Sequence, residues 1–99
     1  MALLQIQGDG LPLTASIHEH VTGQINKLQK FFSNITKIHV ILKHDGIEYV
    51  AEAELHIPGS NNGNLFAKAK SHDLYTSIDF LEKKLEVIVK KHHDKIKSM

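Results

Sequence analysis

The spacing of apolar residues along the chain predicts two helices and four strands. In the first segment, Ala2 to Gln7, Leu4 and Ile6 lie on one side of an alternating pattern, which indicates a short strand. Glycine and proline residues then break the pattern. After Thr14, a candidate N-cap, apolar residues recur at intervals of four, four, three and four, which only a helix places on one face. These residues are Ile17, Val21, Ile25, Leu28 and Phe32.

Three further strands are predicted between this helix and residue 71. Residues 37–43 alternate apolar and polar positions, as a half-buried strand does. The dipeptide Asp45-Gly46 follows them and fits a type I′ hairpin turn. The next strand runs from about residue 47 to 57 and the last from 65 to 71, with a polar turn segment, 58–64, between them. Each strand has one apolar face, so the sheet is expected to be covered on one side.

The outward faces of the last two strands carry opposite charges. Glu52 and Glu54 lie on one side of the first of these strands, while the small residues of its other side indicate close packing. Lys68 and Lys70 point outward from the second strand. Cross-strand ion pairs between these carboxylates and lysines are therefore expected.

The final segment is the longest helix, and it completes the predicted fold. Asp73 is its candidate N-cap, and its apolar stripe comprises Leu74, Ile78, Leu81, Leu85, Ile88, Val89 and Ile96. A strand–helix–strand start implies a right-handed crossover, so the first two strands are parallel neighbours and the hairpins extend the sheet antiparallel. Both helices have one apolar face and should cover the same side. The prediction is a single α+β domain over residues 1–99, in two layers with a four-stranded mixed sheet.

Composition narrows the class of protein. The chain has 99 residues, a net charge of +1, 41% apolar residues, eight histidines and no cysteine or tryptophan. A chain of this length buries roughly 60–65% of its unfolded surface, enough for one core. The absence of cysteine excludes disulfides and thiolate sites, and it favours a cytoplasmic location. The chain contains neither a signal-peptide pattern nor a run of about 18 apolar residues, so no association with a membrane is predicted.

The small net charge conceals a strong asymmetry. Residues 1–82 carry six lysines against nine acids, whereas residues 83–99 carry six lysines against two acids. At about 100° per residue, the final helix has Lys84, Lys91 and Lys95 on one flank, Lys83 and Lys90 at the back, and Asp79, Glu82 and Glu86 on the opposite flank. The first helix places Lys27 and Lys30 together. Such stripes suit a phosphate backbone, and because the chain has no arginine they favour recognition of shape over base reading.

The alternative interpretation is a solvated charged face, since lysines near a helix C-terminus also complement the helix dipole. No metal site is predicted, because neither His18 with His20 nor His92 with His93 has the spacing of two ligands on one helix face. His92 falls on the apolar stripe, so it is predicted to be a half-buried packing residue. No motif for catalysis or for a cofactor is present, and neither function is predicted.

Several segments resemble a known family at matching spacings. The clearest is Asp73 to Asp79 (DLYTSID), which opens a lysine-rich helix that ends in residues 91–97 (KHHDKIK). Val21-Thr22, Lys27-Leu28, Phe32 and the segments 39–43 and 53–57 agree as well. The chain resembles the ribosome hibernation-promoting factors, also called sigma-54 modulation or ribosome-associated inhibitor proteins.

The resemblance implies a β-α-β-β-β-α fold similar to double-stranded-RNA-binding domains, and a non-catalytic role. Family members bind the small ribosomal subunit and its 16S rRNA near the decoding centre, in the channel of messenger and transfer RNA, and block translation in starved cells. The resemblance implies that Lys27, Lys84, Lys91, Lys95 and Lys97 contact rRNA, with Lys83, Lys90 and Lys30 beside them. His18, Gln24 and His93 depart from the basic residues of relatives. The motif residues Asp73, Tyr75, Ile78 and Asp79 are expected to be mainly architectural.

The length of the chain favours one type within that family. The chain ends directly after its last helix, as in the short hibernation-promoting form, which is a monomer off the ribosome and acts with a ribosome modulation factor to pair ribosomes into inactive dimers. The alternatives are an inhibitor that keeps ribosomes single, a protein–protein modulator that uses the open sheet face or Phe80 and Val87, and a free-standing binder of duplex RNA.

Overall fold

A computed structural model describes residues 2–32, 34–58 and 64–97, with side chains of the last helix described as far as His92. Most of the predicted turn segment 58–64 lies outside these ranges. The elements follow the predicted order: β1 (Leu3–Asp9), α1 (Ala15–Phe31), β2 (Lys37–Asp45), β3 (Glu48–His56), β4 (Asn64–Ser71) and α2 (Leu74–Lys97).

The four strands form one mixed sheet in the order β1-β2-β3-β4. Strand β1 runs parallel to β2, with Ile6 opposite Val40, so the predicted parallel pairing of these strands is confirmed. The two remaining pairings are antiparallel, and Ala53 lies opposite Val40 on β2 and opposite Ala67 on β4. The predicted α+β fold class, with a four-stranded mixed sheet, is confirmed.

Both helices pack on one face of the sheet and share one hydrophobic core with it. Helix α2 lies against β3 and β4, and α1 lies beside α2. The small side chains Ala51, Ala53 and Ala69 are buried under the helices, so the close packing expected from them is confirmed. No helix within the described ranges is long and apolar enough to span a membrane.

Both predicted N-caps are confirmed. The Thr14 hydroxyl accepts a hydrogen bond from the Ile17 amide at 3.2 Å, and the Asp73 carboxylate accepts one from the Thr76 amide at 2.9 Å. Each bond satisfies an N–H group that the helix itself leaves without a partner. Helix α1 ends at Phe31, and the Phe32 amide closes it by donating to the Leu28 carbonyl.

The predicted type I′ turn is wrong. Asp45 pairs with Glu48, so the two central residues of the hairpin loop are Gly46 and Ile47. Gly46 has a φ of +66° and no residue other than glycine has a positive φ within the described part of the chain. A glycine alone at the first central position is the pattern of a type II′ turn. Asp45 stays in the ladder, and its carboxylate accepts a hydrogen bond from Lys70 at 2.8 Å.

The open face of the sheet is a ladder of paired charges. Glu52 lies 3.3 Å from Lys43 and 3.8 Å from Lys68, so its predicted pairing across the β3–β4 hairpin is confirmed. Glu54 instead accepts a hydrogen bond from the Asn64 amide, and it pairs with no lysine within the described ranges. Of the two lysines predicted as partners, Lys68 lies near Glu52 and Lys70 is held by Asp45. The Lys70 ammonium keeps the pKa of the Asp45 carboxyl below its usual value.

Candidate nucleic-acid interface on the two helices

A polar cluster joins α1 to the first turns of α2. The Asp79 carboxylate lies 2.7 Å from His20 Nε2 and accepts a second hydrogen bond, also at 2.7 Å, from the Gln24 side-chain amide. The Tyr75 ring meets the His20 ring edge to face, with 5.1 Å between the ring centres. Tyr75 and Asp79 therefore hold the two helices together, while Ile78 is buried in the core beneath them.

Six of the lysines singled out from the sequence lie on the outer surface of these helices. Lys30 on α1 is exposed, as are Lys83, Lys84, Lys90 and Lys91 on α2. Lys27 on α1 keeps 54% of its side chain accessible. Lys95, Lys97 and His93 belong to the last turns of α2, and their side chains lie outside the described part of the structure.

The helix lysines differ from the sheet lysines in their partners. On the open sheet face, Lys43, Lys68 and Lys70 each lie within 4.0 Å of a carboxylate, and Lys37 at the start of β2 has no such partner within the described ranges. Of the six exposed helix lysines, Lys27 alone has such a partner among the side chains that the structure describes. The positive charge that is free to meet a polyanion is therefore concentrated on the helices.

Two of the predicted rRNA contacts also have partners inside the protein. The Lys84 ammonium donates to the main-chain carbonyl of Lys68, on the edge strand β4, at 2.6 Å. The Lys27 ammonium lies 3.7 Å from Glu82, a carboxylate with only 1% of its side chain exposed. The remaining helix lysines have no comparable contact within the described ranges.

Sequence reasoning missed the burial of Glu82. The helical pattern places this residue on the acidic flank of α2, but that flank faces α1, so the side chain is enclosed between the helices. Burial, and then hydrogen bonding and repulsion by Glu86, raise the pKa of Glu82 to about 7, against the opposing effect of Lys27. The sequence around Glu82, which directly precedes an exposed lysine pair, does not predict this burial, because tertiary packing decides which flank of α2 meets α1.

Exposed apolar side chains stand among the helix lysines. Phe80 and Val87 on α2 are both half-exposed, and Phe66 on β4 is exposed at the neighbouring sheet edge. A separate cavity of 430 Å³ lies on the open sheet face, lined in part by Ile41, Glu54 and Phe66. The described residues contain no group of three or more histidines and acids placed to hold a metal ion.

The sequence as a whole matches a known family. Residues 4–97 match the family described as sigma 54 modulation protein / S30EA ribosomal protein. The chain belongs to this family. Its members are ribosome hibernation factors, which are binding proteins and not enzymes.

Named relatives agree over nearly their whole length. The chain is 35% identical over 94 residues to the ribosome hibernation promoting factors of Klebsiella oxytoca and Escherichia coli K12, covering 95% of this chain and 96% of each relative. It is 32% identical over 96 residues to the factor of Pseudomonas putida, covering 97% of this chain and 91% of that protein.

Solved structures share the fold. A ribosomal subunit interface protein from Coxiella burnetii superposes with a TM-score of 0.84 at 26% identity, over 92% of this chain and 97% of that one. The N-terminal domain of Protein Y from Thermus thermophilus gives a TM-score of 0.79 at 25% identity, over 93% of this chain and 99% of that domain. The family resemblance drawn from the DLYTSID motif is confirmed.

Proposed function

We propose that this protein is a cytoplasmic hibernation factor that binds the small ribosomal subunit as a monomer and contacts 16S rRNA phosphates with the lysines of α1 and α2. Bound in the messenger RNA channel near the A and P sites, it blocks translation by excluding messenger and transfer RNA. Together with a ribosome modulation factor, it promotes the pairing of ribosomes into inactive dimers.

The observation that carries this proposal is the contrast between helix and sheet lysines. The exposed lysines of α2, Lys83, Lys84, Lys90 and Lys91, have no carboxylate partner within the described ranges, whereas three lysines of the sheet face are paired with two carboxylates. Free ammonium groups on a rigid surface displace counterions from a phosphate backbone, and that release drives binding to a polyanion. The relatives are named for the ribosome, and this supports the ribosome as the polyanion that the protein binds.

Recognition should depend on the shape of the folded RNA. The chain has no arginine, the residue that forms bidentate contacts with guanine edges. Lysine contacts phosphate as a point charge, so the spacing of phosphates selects the site and base sequence contributes little. Affinity should therefore fall steeply with salt.

The test is sedimentation of the protein with purified small subunits at several salt concentrations. The variant is Lys83→Gln with Lys90→Gln and Lys91→Gln, which keeps most of each aliphatic stem. The matched control is Lys43→Gln with Lys68→Gln and Lys70→Gln, which removes the same charge from the sheet face. We expect the slope of log affinity against log salt to become shallower by about 2 to 3 in the helix variant and to stay unchanged in the control. Equal binding by the two variants would exclude the helix surface as the binding site.

The exposed Phe80 and Val87 favour a second candidate, a protein partner that docks on α2. A pull-down from cell lysate treated with RNase distinguishes a protein partner from rRNA, because a protein partner stays bound after the RNA is digested.

Sucrose gradients of stationary cells with and without the gene distinguish a dimer-promoting factor from an inhibitor that keeps ribosomes single. Binding to short RNA duplexes away from ribosomes would indicate the duplex-RNA alternative.

A further inference from the structure

Glu82 is a buried acid in the middle of the lysine-bearing helix pair. Only 1% of its side chain is exposed, although it directly precedes the exposed Lys83 and Lys84. Its Oε1 atom lies 3.7 Å from Lys27 Nζ, and its Oε2 atom is buried and accepts no hydrogen bond in the described part of the chain. Burying a carboxylate with only one of its two oxygens near a cation costs free energy, so the ionised form of Glu82 is destabilised.

Two charged groups act on this carboxyl group from the elements around it. Lys27 approaches from α1 and favours the ionised form, whereas Glu86, one turn later on α2, favours the protonated form. The inward faces of β3 and β4 beneath α2 are mainly apolar and carry only Tyr49 as a titratable group. One turn earlier on α2, Asp79 is occupied by His20 and Gln24. Lys27 is therefore the cation that Glu82 holds.

Lys27 covers Glu82 from the solvent side. The lysine is 54% exposed while the acid beneath it is enclosed, so the ammonium group sits at the mouth of the groove between the helices. An ionised Glu82 holds the ammonium there and adds a negative charge beneath it. A neutral Glu82 does neither, and the ammonium is then free to move outward to an external anion.

We propose that Glu82 is a positioning residue that holds the Lys27 ammonium in the groove between α1 and α2 and, by gaining or losing its charge, sets the affinity of the helix surface for rRNA phosphates. The inference rests on the proposed function. By linkage, a phosphate that draws Lys27 outward also favours protonation of Glu82, so that binding takes up protons. Affinity for the small subunit should then rise as the pH falls through about 7, where Glu82 titrates.

The experiment measures the affinity of the full chain for purified small subunits between pH 6 and 8 at constant ionic strength. We expect the wild type to bind about two- to fivefold more tightly at pH 6 than at pH 8, which corresponds to a change of about 0.5 to 1 in the pKa of Glu82 on binding. Glu82→Gln has nearly the same shape and no charge. It should bind at pH 8 about two- to fivefold more tightly than the wild type, with a flatter pH profile.

Glu19→Gln is the matched control, because it removes one acid from the exposed side of α1. Its pH profile should keep the slope of the wild type. All eight histidines are present in every variant, so the difference between the Glu82→Gln profile and the wild-type profile isolates Glu82. A Glu82→Gln profile parallel to that of the wild type would overturn the inference, as would weaker binding of this variant at pH 8.

A second measurement needs no ribosome. The carboxyl carbon resonance of Glu82, followed by NMR against pH, reports its titration in the free protein. In Lys27→Gln the titration midpoint should move upward, because the neighbouring cation is gone. An unchanged midpoint would show that Lys27 and Glu82 are not coupled and would overturn the inference. Absence of subunit binding by the wild type, with the midpoint moved, would instead overturn the proposed function alone.

Discussion

The Lys84 ammonium donates a hydrogen bond to the main-chain carbonyl of Lys68 at 2.6 Å, joining helix α2 to the edge strand β4. An open strand edge presents unpaired main-chain groups on which another strand can assemble, and a lysine placed at the edge discourages this. Lys84 thus has a role within the protein in addition to its proposed role at the ribosome. Lys83, its neighbour in sequence, is exposed and makes no such bond within the described ranges.

Replacing Lys84 by methionine should lower the free energy of unfolding by about 1 kcal/mol, because it removes one charged hydrogen bond and leaves most of the aliphatic stem. Lys83→Met removes the same charge from the next position and should leave stability within about 0.5 kcal/mol of the wild type. Urea unfolding followed by circular dichroism measures both. Equal midpoints for the two variants would show that the bond to Lys68 contributes nothing to stability.

Asp79 is the polar link between the two helices. Its carboxylate accepts a hydrogen bond from the Gln24 side-chain amide and lies within hydrogen-bond distance of His20 Nε2, and both partners belong to α1. Asp79→Ala should lower the free energy of unfolding by about 1–2 kcal/mol, because two interhelical hydrogen bonds are lost at a partly exposed site. A double-mutant cycle with Gln24→Ala should give a coupling energy of at least about 0.5 kcal/mol. Additive effects would mean that the amide contact is not formed in solution.

The buried Glu82 makes stability depend on pH. Its pKa is raised from 4.5 to about 7 in the folded protein, chiefly by burial, so the folded state binds more protons than the unfolded state between these values. Stability therefore falls as the pH rises from about 4.5 through 7, and the full cost is present above pH 7. At about 1.36 kcal/mol for each pKa unit, this cost is at most about 3 kcal/mol.

Glu82→Gln removes the titrating group and should remove this component of the pH dependence. Urea unfolding of the wild type and the variant at pH 5, 6, 7 and 8 gives the difference in unfolding free energy at each pH. The free energy of unfolding of the variant, relative to that of the wild type, should increase steadily from pH 5 to pH 8. A difference that stays constant over this range would show that Glu82 has the same pKa in the folded and unfolded states.

Most of the fold was predictable because its signals are local. The interval of three and four between Ile17 and Leu28 belongs to a helix wherever the helix packs, and alternation from Lys37 to Lys43 belongs to a strand. The caps at Thr14 and Asp73 act within a single turn and were identified for that reason. The turn type was predicted wrongly because it depends on strand register, which a dipeptide such as Asp45-Gly46 does not determine.

The candidate site was predictable only in part. Which side chains carry positive charge, and which of them share a helix face, follow from the sequence and the helical repeat. Which lysines have a carboxylate partner required the tertiary structure, for example the register that brings Glu52 between Lys43 and Lys68.

The sequence by itself thus determined the elements, their order, the apolar face of each and the concentration of lysine in the last helix, because these depend on residues close together along the chain. Only the tertiary structure decided that Glu82 is buried under Lys27, that Asp79 binds α1 and that Lys84 reaches the edge of the sheet. Each of these contacts joins residues at least 16 positions apart. Their formation depends on which flank of α2 faces α1 and which faces β4, and that orientation is set by packing of the whole core.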